Sequence, residues 1–235
     1  MSCSNVRVKI CGITTVEDAL AAVDAGADAI GLNFVGGPRQ LAVGQATEIL
    51  GALPPLVTPI ALVRLEGGQV PDPLLEVLGQ YWVSHVQLYG AVAREDLALL
   101  LRDGFKAMPA VAVADEHFVD AVGRWLPANS TVAPAAIVLD AHDPAREGGT
   151  GLPFQWEWIP SARKAGKLDH WPPIILAGGL NPVNVAEAVR TVRPYGVDVS
   201  SGVEMRGSPG RKDPAKMREF VCRAREAALR WEPLV

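Results

Sequence analysis

The stretch RVKICGITTVEDALAAVDAGADAIGLNF, residues 7–34, holds one full turn of the pattern that governs the chain. RVKIC (7–11) reads as a short apolar strand, TVEDALAAVDAG (15–26) as a helix, and DAIGLNF (28–34) as the next strand. Thr15 is placed to cap the helix, Asp18 is the capping-box acid three residues on, and Gly26 ends it. A doubly wound open sheet is the main alternative architecture, and it would follow its first strand with a GxGxxG turn. The sequence there is CGITT, which weakens that alternative.

The same alternation continues to the end of the chain. Strands are predicted at 58–64, 84–90, 105–111, 135–140, 173–179 and 196–202. Helices are predicted at 42–53, 72–82, 92–104, 115–126, 154–166, 182–192 and 213–229. Eight strand–helix units with no linker or low-complexity break fit a single (β/α)8 TIM barrel, class α/β, as one domain over residues 1–235.

Composition agrees with this reading. Hydrophobic residues make up 49% of the chain, enough for a substantial core. The net charge of −4, with no basic block, argues against a nucleic-acid partner. No apolar run approaches the roughly 18 residues of a membrane span, and MSCSNVRVK lacks a secretory signal's apolar stretch. Cys3, Cys11 and Cys222 are too few and scattered for a disulfide framework, so a cytoplasmic location is expected. His85, His117, His142 and His170 show no ligand spacing, and no metal site is expected. Cys222 reads as part of the apolar stripe of the last helix, and Cys3 as part of a mobile amino terminus.

Barrel enzymes build their sites at the carboxyl ends of the strands, which turns position into a filter. LAGGLNPVNV (176–185) ends strand seven with Gly178 and Gly179, and Asn181 and Pro182 are suited to N-cap and N1 of the next helix. VSSGVE (199–204) ends strand eight with Ser200, Ser201 and Gly202 before a short helix. Two such turns on adjacent strands point to a phosphate-bearing ligand. Asp140 closes strand six ahead of a loop containing GGTG at 148–151, and is a general acid or base, or else a turn-capping residue. Arg39, after strand two, can grip a carboxylate through two hydrogen bonds or stand solvated at the surface.

Lys9 and Cys11 share the inward parity of strand one, with Val8 and Ile10 facing the helices. A charge inside a barrel needs a partner. Asp198, inward on the neighbouring strand eight, is the predicted partner of Lys9 just beneath the site. Cys11, at the strand's end, is either a small core residue or a thiol poised as a base.

KICGITTVEDALAAVDAGADAIGLNF, PR, VQLYG, IVLDA, GGTG, ILAGGLNPVNV, GVDVSSGVE and GRKD, in this order, resemble the phosphoribosylanthranilate isomerases of tryptophan biosynthesis over nearly the whole chain. The resemblance implies an aldose–ketose isomerase that converts N-(5-phosphoribosyl)anthranilate into 1-(2-carboxyphenylamino)-1-deoxyribulose 5-phosphate by an Amadori rearrangement, with no cofactor. It implies Cys11 as general base, Asp140 as general acid, and Arg39 as the grip on the anthranilate carboxylate. The phosphate would lie against Gly178, Gly179, Ser201 and Gly202. An ordinary Asp ionises near pH 3.9, so an acid at neutral pH needs surroundings that favour its protonated form. Family members commonly carry His where Tyr89 stands, Asp at Gln155 and Ser at Gly37, and end strand three differently from ALVRLEGG. The related aminoaldose isomerase of histidine biosynthesis carries an Asp in place of Cys11. A phosphate-binding barrel without catalysis is the rival from another class. The partner implied is a small phosphosugar.

Overall fold

Strands buried on both faces suit a parallel sheet wrapped by helices. In the computed structural model, which describes residues 6–90, 92–126, 133–141 and 154–229, eight such strands close into a parallel barrel in sequence order. The strands are β1 (Arg7–Cys11), β2 (Ala29–Asn33), β3 (Thr58–Val63), β4 (His85–Leu88), β5 (Lys106–Ala112), β6 (Ile137–Asp140), β7 (Ile174–Leu176) and β8 (Gly196–Val199). Between and after them run α1 (Val16–Asp24), α2 (Val43–Ala52), α3 (Asp72–Gln80), α4 (Arg94–Arg102), α5 (Phe118–Gly123), α6 (Trp158–Lys164), α7 (Val185–Val192) and α8 (Pro214–Ala228). The barrel closes where β1 pairs with β8, in a register that sets Lys9 opposite Asp198.

The main core lies between the barrel wall and the helices and includes Val8, Ile10, Ile30, Leu139, Val189 and Phe220. A second, smaller cluster fills the barrel itself with Ile60, Met108, Ala136, Val138, Ile175 and Ala177. Val8 and Ile10 therefore face the helices, as period-two alternation requires. Among the described residues, no helix is long and apolar enough to cross a membrane.

Each predicted strand and helix is found, most with shorter ends; β1 keeps its predicted bounds and β5 runs on to Ala112. Strand seven stops at Leu176 because Gly178 and Gly179 take positive φ values of 84° and 65° and leave the ladder. The following helix starts at Val185, not at Pro182. Asn181 does not cap it directly; its Oδ1 accepts from the N–H groups of Val183 and Asn184, forming a turn ahead of the helix. Thr15 caps α1 as expected, its hydroxyl accepting from the Asp18 N–H. Asp18 does not close the capping box, because its carboxylate accepts from the Lys212 N–H and pairs with Arg211. Cys222 is exposed, against expectation, and donates to Glu226 on the outer face of α8. Cys3 and the GGTG loop lie outside the described residues.

The inner face of α8 carries Met217, Phe220, Val221, Ala224, Ala227 and Ala228, and Asp213 caps its start by accepting from the N–H groups of Ala215 and Lys216. Phe220 is fully buried. Phe220→Ala should cost about 3–5 kcal/mol, the loss of a buried ring plus the cavity it leaves, measured as a lowered urea midpoint.

Candidate active site

Cys11 ends β1 with its side chain inside the barrel, 7% exposed. Gly31 on β2 makes room for it: a Cβ there would stand 2.6 Å from the Cys11 sulfur. Below the thiol lies a layer of buried polar groups. The Lys9 ammonium donates to Asp198 Oδ2 at 2.6 Å and to Gln87 Oε1 at 2.8 Å. Gln87, fully buried on β4, passes the chain on by donating from Nε2 to the Tyr89 hydroxyl at 3.0 Å. The pairing of Lys9 with Asp198 is thus present as strand parity predicts. Among the described residues Asp198 Oδ1 is buried without a hydrogen-bond partner, so the pair is not built for stability alone.

Burial pushes the Cys11 thiol above its ordinary pKa, and the negative charge of Asp198 adds to this. The cations of Lys9 and Lys212 pull it back down. Burial also works against the Lys9 ammonium, but Asp198 and Cys11 outweigh it and hold the ammonium above its usual pKa. Lys9 therefore stays charged beneath the thiol at neutral pH. Tyr89 is held well above the ordinary phenol range, first by burial and then by the charges of Asp140, Cys11 and Asp198. Its hydroxyl is neutral at physiological pH and lies within electrostatic reach of both Cys11 and Asp140.

Asp140 ends β6, half-buried, with its backbone carbonyl accepting from Val113 N–H at 2.8 Å. Around the closed ring, β6 and β1 are separated by β7 and β8 on the shorter path. The two candidate acid–base groups thus come from well-separated strands at one end of the barrel, and the turns after β7 and β8 lie between them.

Those two turns form one unit. A side chain at Gly202 would strike the Leu180 carbonyl oxygen, and one at Gly178 would strike the Ala141 backbone. The Gly179 carbonyl is drawn back by the side-chain amides of Asn184, at 2.9 Å, and Asn181, at 3.3 Å. Among the described residues, the N–H groups of Gly178, Gly179, Ser201 and Gly202 have no backbone acceptor. Ser201 opens a short 3-10 turn, Ser201–Val203, where a short helix is expected. Close glycine backbone with unengaged N–H groups suits an anion.

Arg39, in the loop after β2, meets a carboxylate belonging to the protein itself. Its Nε and Nη2 donate to Glu204 at 2.6 Å and 2.9 Å. The fully buried Lys212 donates to the same Glu204 at 3.0 Å and to the Ser200 carbonyl at 3.1 Å. Burial opposes ionisation of Glu204, but Arg39 and Lys212 together hold its carboxyl below the usual range. The sequence assigns no role to Glu204, Lys212 or Gln87, although they stand in SSGVE, GRKD and VQLYG. A charged residue within a run of small and apolar ones, as in SSGVE, is the signal that was available. Gln155 is exposed. Among the described residues, no cluster of His, Cys, Asp and Glu is arranged to hold a metal ion.

A carboxylate, a thiol and a pair of glycine turns at the carboxyl end of a (β/α)8 barrel have the placement of a barrel enzyme's site. A family model described as "N-(5'phosphoribosyl)anthranilate (PRA) isomerase" matches residues 8–223. A Geobacter metallireducens protein named N-(5'-phosphoribosyl)anthranilate isomerase is 43% identical over 224 residues, covering 94% of this chain and 99% of that protein. The crystal structure of phosphoribosyl anthranilate isomerase from Thermotoga maritima is 34% identical and superposes with a TM-score of 0.78, covering 94% of this chain and 99% of the other. A further phosphoribosyl anthranilate isomerase structure, 33% identical with a TM-score of 0.75 over 94% and 99% of the two chains, holds reduced 1-(o-carboxyphenylamino)-1-deoxyribulose 5-phosphate. This chain belongs to the phosphoribosylanthranilate isomerase family and is an isomerase of tryptophan biosynthesis.

The charge of Lys9 favours the Cys11 thiolate, so removing it moves the thiol further up. Lys9→Met should shift the rising limb of the kcat/KM pH profile to higher pH. The same variant leaves Asp198 buried and unpaired, and should lose about 3–5 kcal/mol of stability in a urea titration.

Proposed function

We propose that this chain catalyses the Amadori rearrangement of N-(5-phosphoribosyl)anthranilate with Cys11 as general base and Asp140 as general acid, in the cytoplasm and as one barrel domain. The observation that carries this reading is that Cys11 and Asp140 end β1 and β6 at the barrel's carboxyl end, with the glycine turns after β7 and β8 between them. Protonated Asp140 gives its proton to the furanose ring oxygen. The bond from that oxygen to the anomeric carbon breaks, and the nitrogen lone pair forms an iminium. The Cys11 thiolate then removes the proton from the adjacent sugar carbon, and those electrons neutralise the iminium to give an enolamine. Proton return to the former anomeric carbon and loss of the neighbouring hydroxyl proton yield the ketone.

Several features support the sequence of charges this needs. The resting thiol is buried and largely protonated, which limits its side reactions. A positive iminium formed beside it adds to the pull of Lys9 and Lys212, so the thiolate is favoured where the base is needed. The neutral Tyr89 hydroxyl has its oxygen occupied by Gln87 Nε2 and keeps its own proton to donate toward a developing oxygen charge. Gly178, Gly179, Ser201 and Gly202 receive the phosphate, and Arg39 the anthranilate carboxylate.

Conversion of N-(5-phosphoribosyl)anthranilate, followed by the loss of its fluorescence, tests the assignment. Cys11→Ala and Asp140→Asn should each lower kcat by about 10²–10⁴-fold, the usual worth of a positioned acid or base. Full turnover in both variants would sink the residue roles, and inactivity of the unaltered chain would sink the activity itself.

A further inference from the structure

We infer that Glu204 is the positioning residue that makes Arg39 selective for a carboxylate on the substrate's aromatic amine. The inference rests on the proposed reading that Arg39 meets that carboxylate. A guanidinium carries five N–H donors in a planar fork and can serve two carboxylates at once, one on each edge. Glu204 occupies the edge made by Nε and one N–H of Nη2, at 2.6 Å and 2.9 Å. The other edge, formed by Nη1 and the second N–H of Nη2, has no hydrogen-bond acceptor among the described residues. The same planar group that Glu204 grips therefore presents a second fork of matching geometry.

Glu204 can hold Arg39 in place because it is itself held. It is 7% exposed, and its Oε1 accepts from Lys212 Nζ at 3.0 Å and from the Gly210 N–H at 3.1 Å. Its backbone carbonyl accepts from Lys216 Nζ at 2.7 Å. The stem of Arg39 lies against Gly12, where a Cβ would collide with it, which puts the guanidinium one residue from Cys11. Gly12, with φ of 69°, leaves the space the arginine uses.

The charge count points the same way. Two cations, Arg39 and Lys212, share the single carboxylate of Glu204. One positive charge is left over in a half-buried place, and an anion on the open edge of Arg39 balances it. A ligand without that carboxylate leaves the edge desolvated and unpaired, and discrimination against it follows.

Steady-state kinetics with two substrates test this: N-(5-phosphoribosyl)anthranilate and N-(5-phosphoribosyl)aniline, which lacks only the carboxylate. The unaltered enzyme should prefer the anthranilate compound in kcat/KM. Glu204→Gln should raise KM for that compound by about 10- to 100-fold, the worth of one charge-assisted hydrogen bond, with kcat held within about threefold. The aniline compound, which offers Arg39 no carboxylate, should lose far less in KM than the anthranilate compound. Glu204→Asp, which keeps the charge, should recover part of the lost KM. The double variant Glu204→Gln/Lys212→Met removes the buried lysine's unmet charge together with its partner, and should show the same rise in KM if the single variant does not fold. Equal losses on both substrates would overturn the positioning role and leave Glu204 as a purely structural residue. Absence of any preference in the unaltered enzyme would instead overturn the reading of Arg39 itself.

Discussion

The contact between Lys9 and Asp198 sits on the seam where the barrel closes, and much of the molecule depends on it. An eight-stranded sheet becomes a barrel only when its first and last strands find one register. Here the register that pairs Lys9 with Asp198 is also the one that keeps Val8, Ile10, Val197 and Val199 on the outer, helix-covered face. A one-residue slip would turn two charges toward the apolar layer and two aliphatic side chains into the site. The ion pair therefore specifies closure more than it strengthens it, since burying both charges costs most of what their attraction returns.

That same pair ties the fold to the chemistry. A thiol in an apolar barrel would be inert, and a lone ammonium there would lose its proton. Asp198 keeps Lys9 charged, and Lys9 keeps the thiolate of Cys11 accessible. The second charged cluster repeats the device one layer higher: Lys212 offsets Glu204, and Glu204 engages Arg39. In both clusters a buried carboxylate is placed so that a cation meets the site without being neutralised by it.

The parts of this plan that follow strict periods were legible before any coordinates. Alternation along RVKIC and GVDV is enough to aim Lys9 and Asp198 at each other, and eight units in order are enough for the barrel. The glycine turns after β7 and β8 were legible because a missing side chain on adjacent strands has a direct structural meaning. Glu204 and Lys212 were not, because they lie in irregular chain where no period fixes a side chain's direction. Asp18 was misread for a related reason: the local rule for a capping box competes with a partner 194 residues away, and the distant N–H of Lys212 wins. Cys222 was misread within a regular element. The buried set Met217, Phe220, Val221, Ala224, Ala227 and Ala228 runs at helical spacing, and that phase leaves position 222 on the outside.

The link from Asp18 to Lys212, together with Thr14 donating to the Gly210 carbonyl at 2.6 Å, has a bearing on how the protein comes into being. The turn after Cys11 and the helix that follows it are fastened by residues made almost two hundred positions later. While a ribosome is still synthesising the middle of the chain, β1 has no β8 to pair with, and its lysine no aspartate. The thiol is thus made early and given its charged neighbours late. A nascent or truncated barrel carries the cysteine but not Asp198, Glu204 or Lys212, and the charged network around the thiol is assembled only with the closing strand. Such long-range closure makes for slow folding. In exchange, an unfinished chain holds no competent site.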